Sequence, residues 1–247
     1  MILVIRGHIR NSFKNNQLFD FIKQLYLANP NLSIYIHTWT VFANTISWRT
    51  IKEDTEMVTE EKIYAYFSHL KYLIKHIMID DDSKIQLIGN LNGNVSKGKM
   101  PILGWKNYWY GKYQIINYLY KIVDENETIV NFRFDIFDNS NSFSEKRLLK
   151  FICKQPFTKN KFMFDKVHTG IDNIYMGNIN TMHKLIDTFA HNLDYILSKS
   201  IVYNQENLVY IMNDILFEKK LKPYLIIPAF IQSNPNGFHF RNLRTFV

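Results

Sequence analysis

The sequence is poor in the residues on which small secreted proteins and fibrous proteins depend. One cysteine, 9 glycines and 6 prolines occur among 247 residues. The single cysteine, Cys153, excludes an internal disulfide and a zinc site built from cysteines. It lies in an apolar helical run, so we interpret it as a buried, inert thiol. The low glycine and proline content argues against a linker-rich or fibrous chain.

Long hydrophobic runs are also missing. No stretch approaches the roughly 18 consecutive apolar residues of a membrane-spanning helix. The apolar run before Arg6 is too short for a signal peptide and lacks a small-residue cleavage site. We therefore expect a cytoplasmic protein, and peripheral association with the inner face of a membrane stays open because the chain is basic.

Composition and charge favour a globular protein with anionic partners. Hydrophobic residues make up 47% of the chain and aromatic residues 15%, so a sizeable core is expected. We find no repeat and no domain boundary, and expect one domain over residues 1–247. The net charge of +8 suits nucleotides, phosphorylated lipids or nucleic acid. The lysines are scattered, so a solvating surface is the simpler interpretation, and no nucleic-acid-binding signature is present.

The first 40 residues predict a βαβ unit. Residues 2–5 form a continuous apolar run typical of a buried strand, and residues 13–28 carry apolar side chains at helical spacing. Residues 32–36 alternate as a second strand, so a parallel sheet with a right-handed crossover is expected. Further along, we predict a helix over 59–76, a short strand over 84–88, a surface loop over 91–105 and a helix over 107–123.

The turn after the first strand is a candidate phosphate site. The dinucleotide fingerprint G-x-G-x-x-G is absent, and Gly7 is the only glycine in the turn. Gly7 permits close backbone approach, and Arg6, His8 and Arg10 surround it. One interpretation is an anion bound at the start of the following helix. The other is an ordinary tight turn with exposed basic residues.

Aromatic residues crowd the end of the predicted loop over 91–105. Such residues beside a loop can stack on a base or a sugar ring. More often they anchor the loop in the core, and the sequence leaves both interpretations open. The residues are Trp105, Tyr108, Trp109 and Tyr110.

The segment from Thr128 to Asn139, TIVNFRFDIFDN, is the centre of the functional prediction. It begins as a buried strand, in which Arg133 and Asp135 fall two apart on one face. Asp138 follows where the strand should end. Ligands of open α/β sheets bind at this edge, and a carboxylate pair there can hold a divalent cation. The alternative is an Arg–Asp ion pair followed by a turn aspartate.

Several short motifs follow one another in a recognisable order. They resemble proteins of bacterial surface-polysaccharide loci that are classed as glycosyltransferases, including the WavE-like lipopolysaccharide proteins, and related viral and eukaryotic proteins. The resemblance spans most of the chain, and its weight lies in the order of the motifs. The motifs are Gly7-His8-Ile9-Arg10, His37-Thr38-Trp39, Tyr113-Gln114, Arg133-Phe134-Asp135, Asp172 to Gly177, Glu206 at a helix start, and the arginines after the last strand.

The resemblance implies a single α/β domain of the GT-A type, a Rossmann-like fold with a mostly parallel central sheet flanked by helices. It implies transfer of a sugar from a nucleotide-sugar donor to a glycan or lipid-linked acceptor. The N-terminal half would bind the donor nucleotide, and the C-terminal half would face the acceptor. The implied donor-binding residues are Arg6, Gly7, Arg10, His37, Trp39, Gln114, Arg133 and Asp135.

Proteins of this type bind a divalent cation, Mn²⁺ or Mg²⁺, and the donor diphosphate through an Asp-x-Asp at the end of a central strand. Here Arg133 stands in the place of the first aspartate, and Asp138 comes three residues after Asp135. The metal ligands would therefore be Asp135 and Asp138. The alternative is that Arg133 neutralises the phosphate itself by bidentate contact.

An inverting transferase needs a group that takes the proton of the acceptor hydroxyl. Asp172 is our candidate for this catalytic base, and His168 is the second candidate. In the alternative interpretation Asp172 caps a loop and His168 is an exposed loop residue. The remaining candidates are assigned to the acceptor or phosphate side, and they are Glu206, Arg241 and Arg244.

Three other functions stay open. The same sheet edge would serve a transferase that moves another nucleotide-linked group onto a polysaccharide. The imperfect Asp-x-Asp also fits an inactive homologue that only binds sugar. The basic charge and the aromatic residues suit a nucleic-acid-binding protein, although the basic residues do not cluster on one helix.

Overall fold

The computed structural model describes residues 1–47, 50–95, 100–125, 127–138, 145–153, 160–166 and 169–199. Their α-helices and strands alternate along most of the chain, and two 3-10 helices span Ser68–Leu73 and Phe134–Ile136. The elements are β1 (Ile2–Arg6), α1 (Gln17–Ala28), β2 (Ser33–Trp39), β3 (Val41–Ala43), β4 (Asp54–Met57), α2 (Glu60–Phe67), β5 (Ile74–Asp80), α3 (Ile102–Tyr120), β6 (Thr128–Arg133), α4 (Glu145–Cys153), β7 (Asn160–Lys166), β8 (Thr169–Asn178) and α5 (Ile179–Lys199).

The central sheet has the strand order β5-β2-β1-β6-β8-β7. Strands β5, β2, β1 and β6 are parallel to one another. Strand β8 runs antiparallel to β6, and β7 runs antiparallel to β8. Strands β3 and β4 pair separately as a small antiparallel sheet. The predicted α/β class, with a mostly parallel central sheet, is confirmed.

Helices cover both faces of the sheet, which explains why residues 2–5 of β1 are all apolar. On one face, Leu3 and Ile5 of β1 share a buried cluster with Phe21 of α1. On the other, Ile2 and Val4 pack in a second cluster with residues of α3 and α5. The helices that the pattern predicted after β1 and before β6 therefore lie on opposite faces. In the described part of the chain, no helix has both the length and the apolar composition needed to cross a bilayer.

The direction of strand addition changes at β1. The chain adds β2 and then β5 on one side of β1, and it returns to place β6 on the other side. Open α/β sheets bind ligands at such a switch point, beyond the carboxyl ends of the strands. The register places Arg6 at the end of β1 beside both His37 of β2 and Arg133 of β6. The basic turn and the Arg-x-Asp segment are therefore neighbours.

The predicted helix over 59–76 is wrong in its second half. Helix α2 ends at Phe67, and Ser68 has a φ of 48°, which interrupts the helical backbone. A 3-10 helix follows, and then β5 pairs with β2. The apolar spacing fits a helix throughout, but pairing with the exposed edge of β2 decides the outcome for residues 74–80.

Three other elements differ from the prediction. Residues 84–88 form no strand; Lys84 ends a turn in which its N–H donates to the Asp81 carbonyl at 3.0 Å. Helix α3 begins at Ile102, inside the predicted loop. Strand β6 ends at Arg133, so Asp135 lies in the 3-10 helix and not on the strand. Because Asp135 lies in this turn, its carboxylate has different neighbours from those that a position on the strand would give it.

Candidate active site

A pocket opens at the carboxyl ends of β1, β2 and β6. It encloses about 660 Å³ of space, part of it open to solvent. Three of its described lining residues are arginines and none is Asp or Glu, so we call it the arginine pocket. The lining residues are Arg6, Gly7, His8, Arg10, Trp39, Asn44, Ile46, Ser47, Met100, Gly104, Asn107, Tyr108 and Arg133.

The turn from Gly7 to Arg10 is held in an uncommon backbone conformation. Gly7 has a φ of 91° and Arg10 a φ of 54°. The Gly7 N–H donates to the His37 carbonyl at 3.0 Å, and the Arg10 N–H donates to the Phe42 carbonyl at 2.9 Å. A positive φ suits glycine but costs an arginine about 1 kcal/mol or more. The strands that flank the turn therefore hold Arg10 in this conformation.

Asp135 binds two arginines. Its Oδ1 accepts from Arg133 Nε at 2.6 Å and its Oδ2 from Arg133 Nη2 at 2.5 Å. Arg10 Nη1 also donates to Oδ2. The Asp135 side chain is 3% exposed, and the two arginine side chains are 19% and 16% exposed for Arg10 and Arg133. Because bonds between charged groups are stronger when shielded from water, this carboxylate fixes the orientation of both guanidinium groups.

Arg6 forms part of the pocket wall. The side chain is almost fully buried. Its Nε donates to Asn131 Oδ1 at 2.5 Å, and its Nη2 donates to the Tyr108 hydroxyl at 3.2 Å. Its Cζ lies 4.5 Å from the centre of the Tyr108 ring. The guanidinium is therefore fixed between β6 and α3, in the wall of the pocket.

His8 is a pocket residue that the list of implied donor-binding residues omits. Its ring packs against Trp39 with ring centres 5.9 Å apart. Burial, and then the positive charge of Arg10, lower the pKa of His8 to about 3, against the opposing effect of Asp135. The imidazole is therefore neutral at pH 7, and its 3.9 Å approach to Asp82 is not a charged pair. In the sequence, only the position of His8 between Gly7 and Arg10 indicates that it belongs to the pocket.

The aromatic residues predicted at the end of the loop lie on α3, and their surroundings differ. Trp105 and Trp109 are fully buried and anchor the helix in the core. Tyr108 borders the arginine pocket. Lys112, also fully buried, places its Nζ 3.6 Å from the centre of the Tyr108 ring and 3.8 Å from that of Trp109. Such cation–π contacts stabilise a buried ammonium, and helical spacing of Tyr108 and Lys112 was the only sequence signal for them.

Asp135 lies behind two of the arginines and, like two other implied donor-binding residues, does not line the arginine pocket. His37 is fully buried, and its Nε2 lies 3.1 Å from Asp80 Oδ2. Its ring packs edge-on against Trp39, which does line the pocket. Gln114 is half-buried on α3 and lines neither of the two described pockets. His37 is therefore placed to support Trp39 rather than to reach a ligand.

A second pocket lies on the other side of Arg10, with Asp135 and Asp138 in its wall. The Ser12 hydroxyl donates to Asp138 Oδ2 at 3.3 Å. Burial, and then the negative charge of Asp135, raise the pKa of Asp138. In the described ranges, no three or more His, Cys, Asp or Glu side chains come together as a metal site. With Asp135 already bound by two arginines, the described residues do not fit a divalent cation.

The candidates for the acceptor side are only partly described. Ile174 of β8 pairs with Phe132 of β6. Asp172 precedes Ile174 by two residues on an antiparallel strand, so its backbone lies at the edge where β6 ends. The other four candidates lie outside the described residues, and they are His168, Glu206, Arg241 and Arg244.

Consecutive aspartates that the sequence analysis did not assign to the site lie at the end of β5, at the same edge of the sheet. Asp80 contacts His37, and Asp82 accepts a hydrogen bond from Asn44 Nδ2. Asn44 itself lines the arginine pocket. Asp80 and Asp82 therefore orient His37 and Asn44 beside the pocket. The signal was three consecutive aspartates, residues 80–82, directly after an apolar run.

Comparisons with protein-family models and with curated proteins found no match to this sequence. Two solved structures align with 87% of this chain and 70% of their own length, at 9% sequence identity and a TM-score of 0.42. One is an active-site mutant of LgtC, and the other is the galactosyltransferase LgtC in complex with donor and acceptor sugar analogues. At this level of similarity, function has to follow from the geometry of the pocket.

Proposed function

We propose that this protein is a glycosyltransferase that moves a sugar from a nucleotide-sugar donor to a glycan or lipid-linked acceptor. The observation that carries the proposal is the arginine pocket at the switch point of a parallel sheet. Three arginines converge there from β1, the following turn and β6. A nucleoside diphosphate is an anion whose phosphate groups such a pocket would hold.

Sugar transfer needs positive charge where the donor breaks. As the bond between the sugar and the diphosphate is cleaved, negative charge grows on the leaving phosphate oxygen. Guanidinium groups that are already oriented stabilise that charge without reorganising. Arg10 and Arg133 are oriented by Asp135, and Arg6 is held by Asn131. The pocket therefore supplies in advance what the transition state requires.

The remaining parts of the pocket suit the organic part of a donor. Trp39 and Tyr108 border it, and aromatic rings of this kind stack on bases and sugars. Gly7 brings the backbone to the pocket without a side chain in the way. Asp172 remains our proposal for the base that deprotonates the acceptor, because its backbone lies at the same sheet edge.

Nucleotide binding to the folded protein tests the proposal. We would measure the melting temperature with UDP, GDP, CDP, ADP and CMP, each at 1 mM. A ligand at a hundred times its Kd stabilises the folded state by about 2.7 kcal/mol, so we expect at least one of these nucleotides to raise the melting temperature by several degrees. We expect Arg133→Gln to abolish the shift.

The matched control is Lys75→Gln, which removes one positive charge from an exposed residue outside the pocket. We expect this variant to keep the full nucleotide shift. If no nucleotide shifts the wild-type protein, or if both variants lose the shift equally, the proposed function is wrong. A shift with single-stranded nucleic acid alone would favour the nucleic-acid-binding alternative.

A further inference from the structure

We propose that the donor diphosphate is bound by Arg10 and Arg133 without a divalent cation, and that Asp135 is a positioning residue for these arginines rather than a metal ligand. This inference rests on the proposed function. It concerns the way in which the same pocket neutralises its ligand.

The bonds around Asp135 carry the inference. Three N–H donors from two arginines point at its two oxygens, with Nε and Nη2 of Arg133 at 2.6 and 2.5 Å. A cation on the same carboxylate would lie at about 2.0–2.6 Å from an oxygen, and so within about 5 Å of at least one guanidinium group. Charges of like sign at that distance repel strongly in a buried site. Metal binding would have to displace an arginine.

The rest of the surroundings give a cation no better site. Asp138, the second predicted ligand, has an oxygen that accepts a hydrogen bond from Ser12 at 3.3 Å. Within the described ranges, no cluster of three metal-binding side chains is present. Mn²⁺ and Mg²⁺ are held by several oxygen ligands at once, so a lone remaining carboxylate holds them poorly.

The arginines, in contrast, suit phosphate directly. A guanidinium matches phosphate by two parallel hydrogen bonds, which an ammonium cannot form. Arg10 is held at a positive φ of 54°, a conformation that persists only where the surrounding structure enforces it. The strands around the turn thus hold Arg10 against Asp135, beside Arg133. The Arg-x-Asp sequence that replaces Asp-x-Asp would then be the sign of an arginine clamp.

Nucleotide affinity with and without metal tests the inference. The probes are UDP, GDP, CDP and ADP, titrated calorimetrically into the wild-type protein in 1 mM EDTA and, separately, in 5 mM MnCl₂ or MgCl₂. We expect the tightest of them to have the same Kd within about twofold in all three buffers. A Kd that is tenfold tighter with either metal overturns the inference and leaves the proposed function intact. No binding in any buffer overturns both.

Three variants separate an arginine clamp from a metal site. Arg133→Lys keeps the charge and loses the bidentate geometry, so we expect a Kd about tenfold weaker that metal does not restore. For Asp135→Asn we expect a similar weakening in EDTA and in MnCl₂. If Asp135→Asn weakens binding only in the metal-containing buffers, Asp135 is a metal ligand and the inference is wrong.

Asp138→Asn covers the case in which Asp135→Asn fails to fold. An arginine clamp predicts that Asp138→Asn, like the wild type, shows one Kd in EDTA and in MnCl₂. A metal site on Asp138 predicts a wild type that responds to metal and a variant that does not. Glu56→Gln, which removes a carboxylate that is 60% exposed and paired with Lys62, controls for the change in net charge.

Discussion

His8 shows how the surroundings of one residue change its chemistry. An unfolded histidine titrates near pH 6.5, whereas burial and the charge of Arg10 lower the pKa of His8 in the folded protein to about 3. Arg133 and His37 contribute to this lowering of the pKa, and Asp135 opposes it. Between these two pH values, the unfolded chain binds a proton at His8 that the folded chain does not.

We therefore expect stability to fall as the pH falls from about 6.5 towards 3. The unfolded state binds more protons in this window, so the free energy of unfolding rises with pH. A single histidine contributes a slope of about 1.4 kcal/mol per pH unit there. Urea unfolding between pH 7 and pH 4.5 would measure it, with the His8→Asn variant beside the wild type.

The variant removes the titrating group, so its stability should depend on pH less steeply than that of the wild type by about that slope. Asp138 acts in the opposite direction, because its raised pKa makes the folded state bind a proton that an unfolded aspartate has already released. Both proteins carry this contribution equally. Parallel pH profiles for the two proteins would show that His8 is not held neutral in the folded state.

At the scale of elements, the packing of α3 on β2 depends on one glycine. A Cβ atom added to Gly111 would lie 2.6 Å from Cε1 and 2.7 Å from Nδ1 of His37. The His37 ring has little room to move, because it is fully buried and contacts Asp80 and Trp39. Gly111 therefore sets the distance between the helix and the sheet behind the arginine pocket.

Gly111→Ala tests this packing. Alanine favours a helix over glycine by about 1 kcal/mol, so a surface position would gain stability from the change. Here we expect a loss of about 1–3 kcal/mol instead, because overpacking shifts the helix or the ring. Thermal unfolding measures the loss. Gly104→Ala is the comparison, since its Cβ would lie 3.1 Å from Ile46 Cγ2, and we expect a smaller effect; equal effects would contradict this account.

Local sequence pattern predicts some helices and strands of this fold correctly and others wrongly. The apolar run over residues 2–5 and the mainly apolar residues 129–132 predict β1 and β6 correctly, because a strand buried on both faces is rich in apolar residues. Residues 70–74 have helical spacing, yet Ile74 begins β5. The hydrogen-bonding edge of β2 is decisive there, and a local pattern contains no information about an edge more than 30 residues away.

At the scale of the whole molecule, the net charge of +8 and the arginine pocket predict different kinds of anion binding. Scattered surface lysines attract any polyanion, and salt weakens that attraction strongly. The arginines of the pocket are at least four-fifths buried, with Arg10 the most exposed at 19%. Salt screens buried charges much less than exposed ones.

Raising NaCl from 50 to 200 mM separates the two. We expect affinity for single-stranded DNA, measured by fluorescence anisotropy, to fall by 100-fold or more, as for a protein with several phosphate contacts. The Kd of the nucleotide that binds most tightly should rise by less than about fivefold. DNA affinity that survives 200 mM NaCl, together with absent nucleotide binding, would identify nucleic acid as the true ligand.

The sequence alone predicted the class of the fold, the sheet edge where the arginine pocket lies and the arginines that line it. These follow from local patterns: a βαβ unit, a glycine turn and an arginine at the end of a central strand. The sequence also predicted an Asp135 that binds metal or pairs with an arginine, and could not choose between them.

The tertiary structure supplies two arginine partners for this carboxylate. Asp135 pairs with Arg133, two residues away, and also with Arg10, 125 residues away. The second contact depends on β1 and β6 lying side by side in a register that aligns Arg6 with Arg133. That register results from the pairing of the whole sheet, so no local stretch of the chain could reveal that two arginines share one carboxylate.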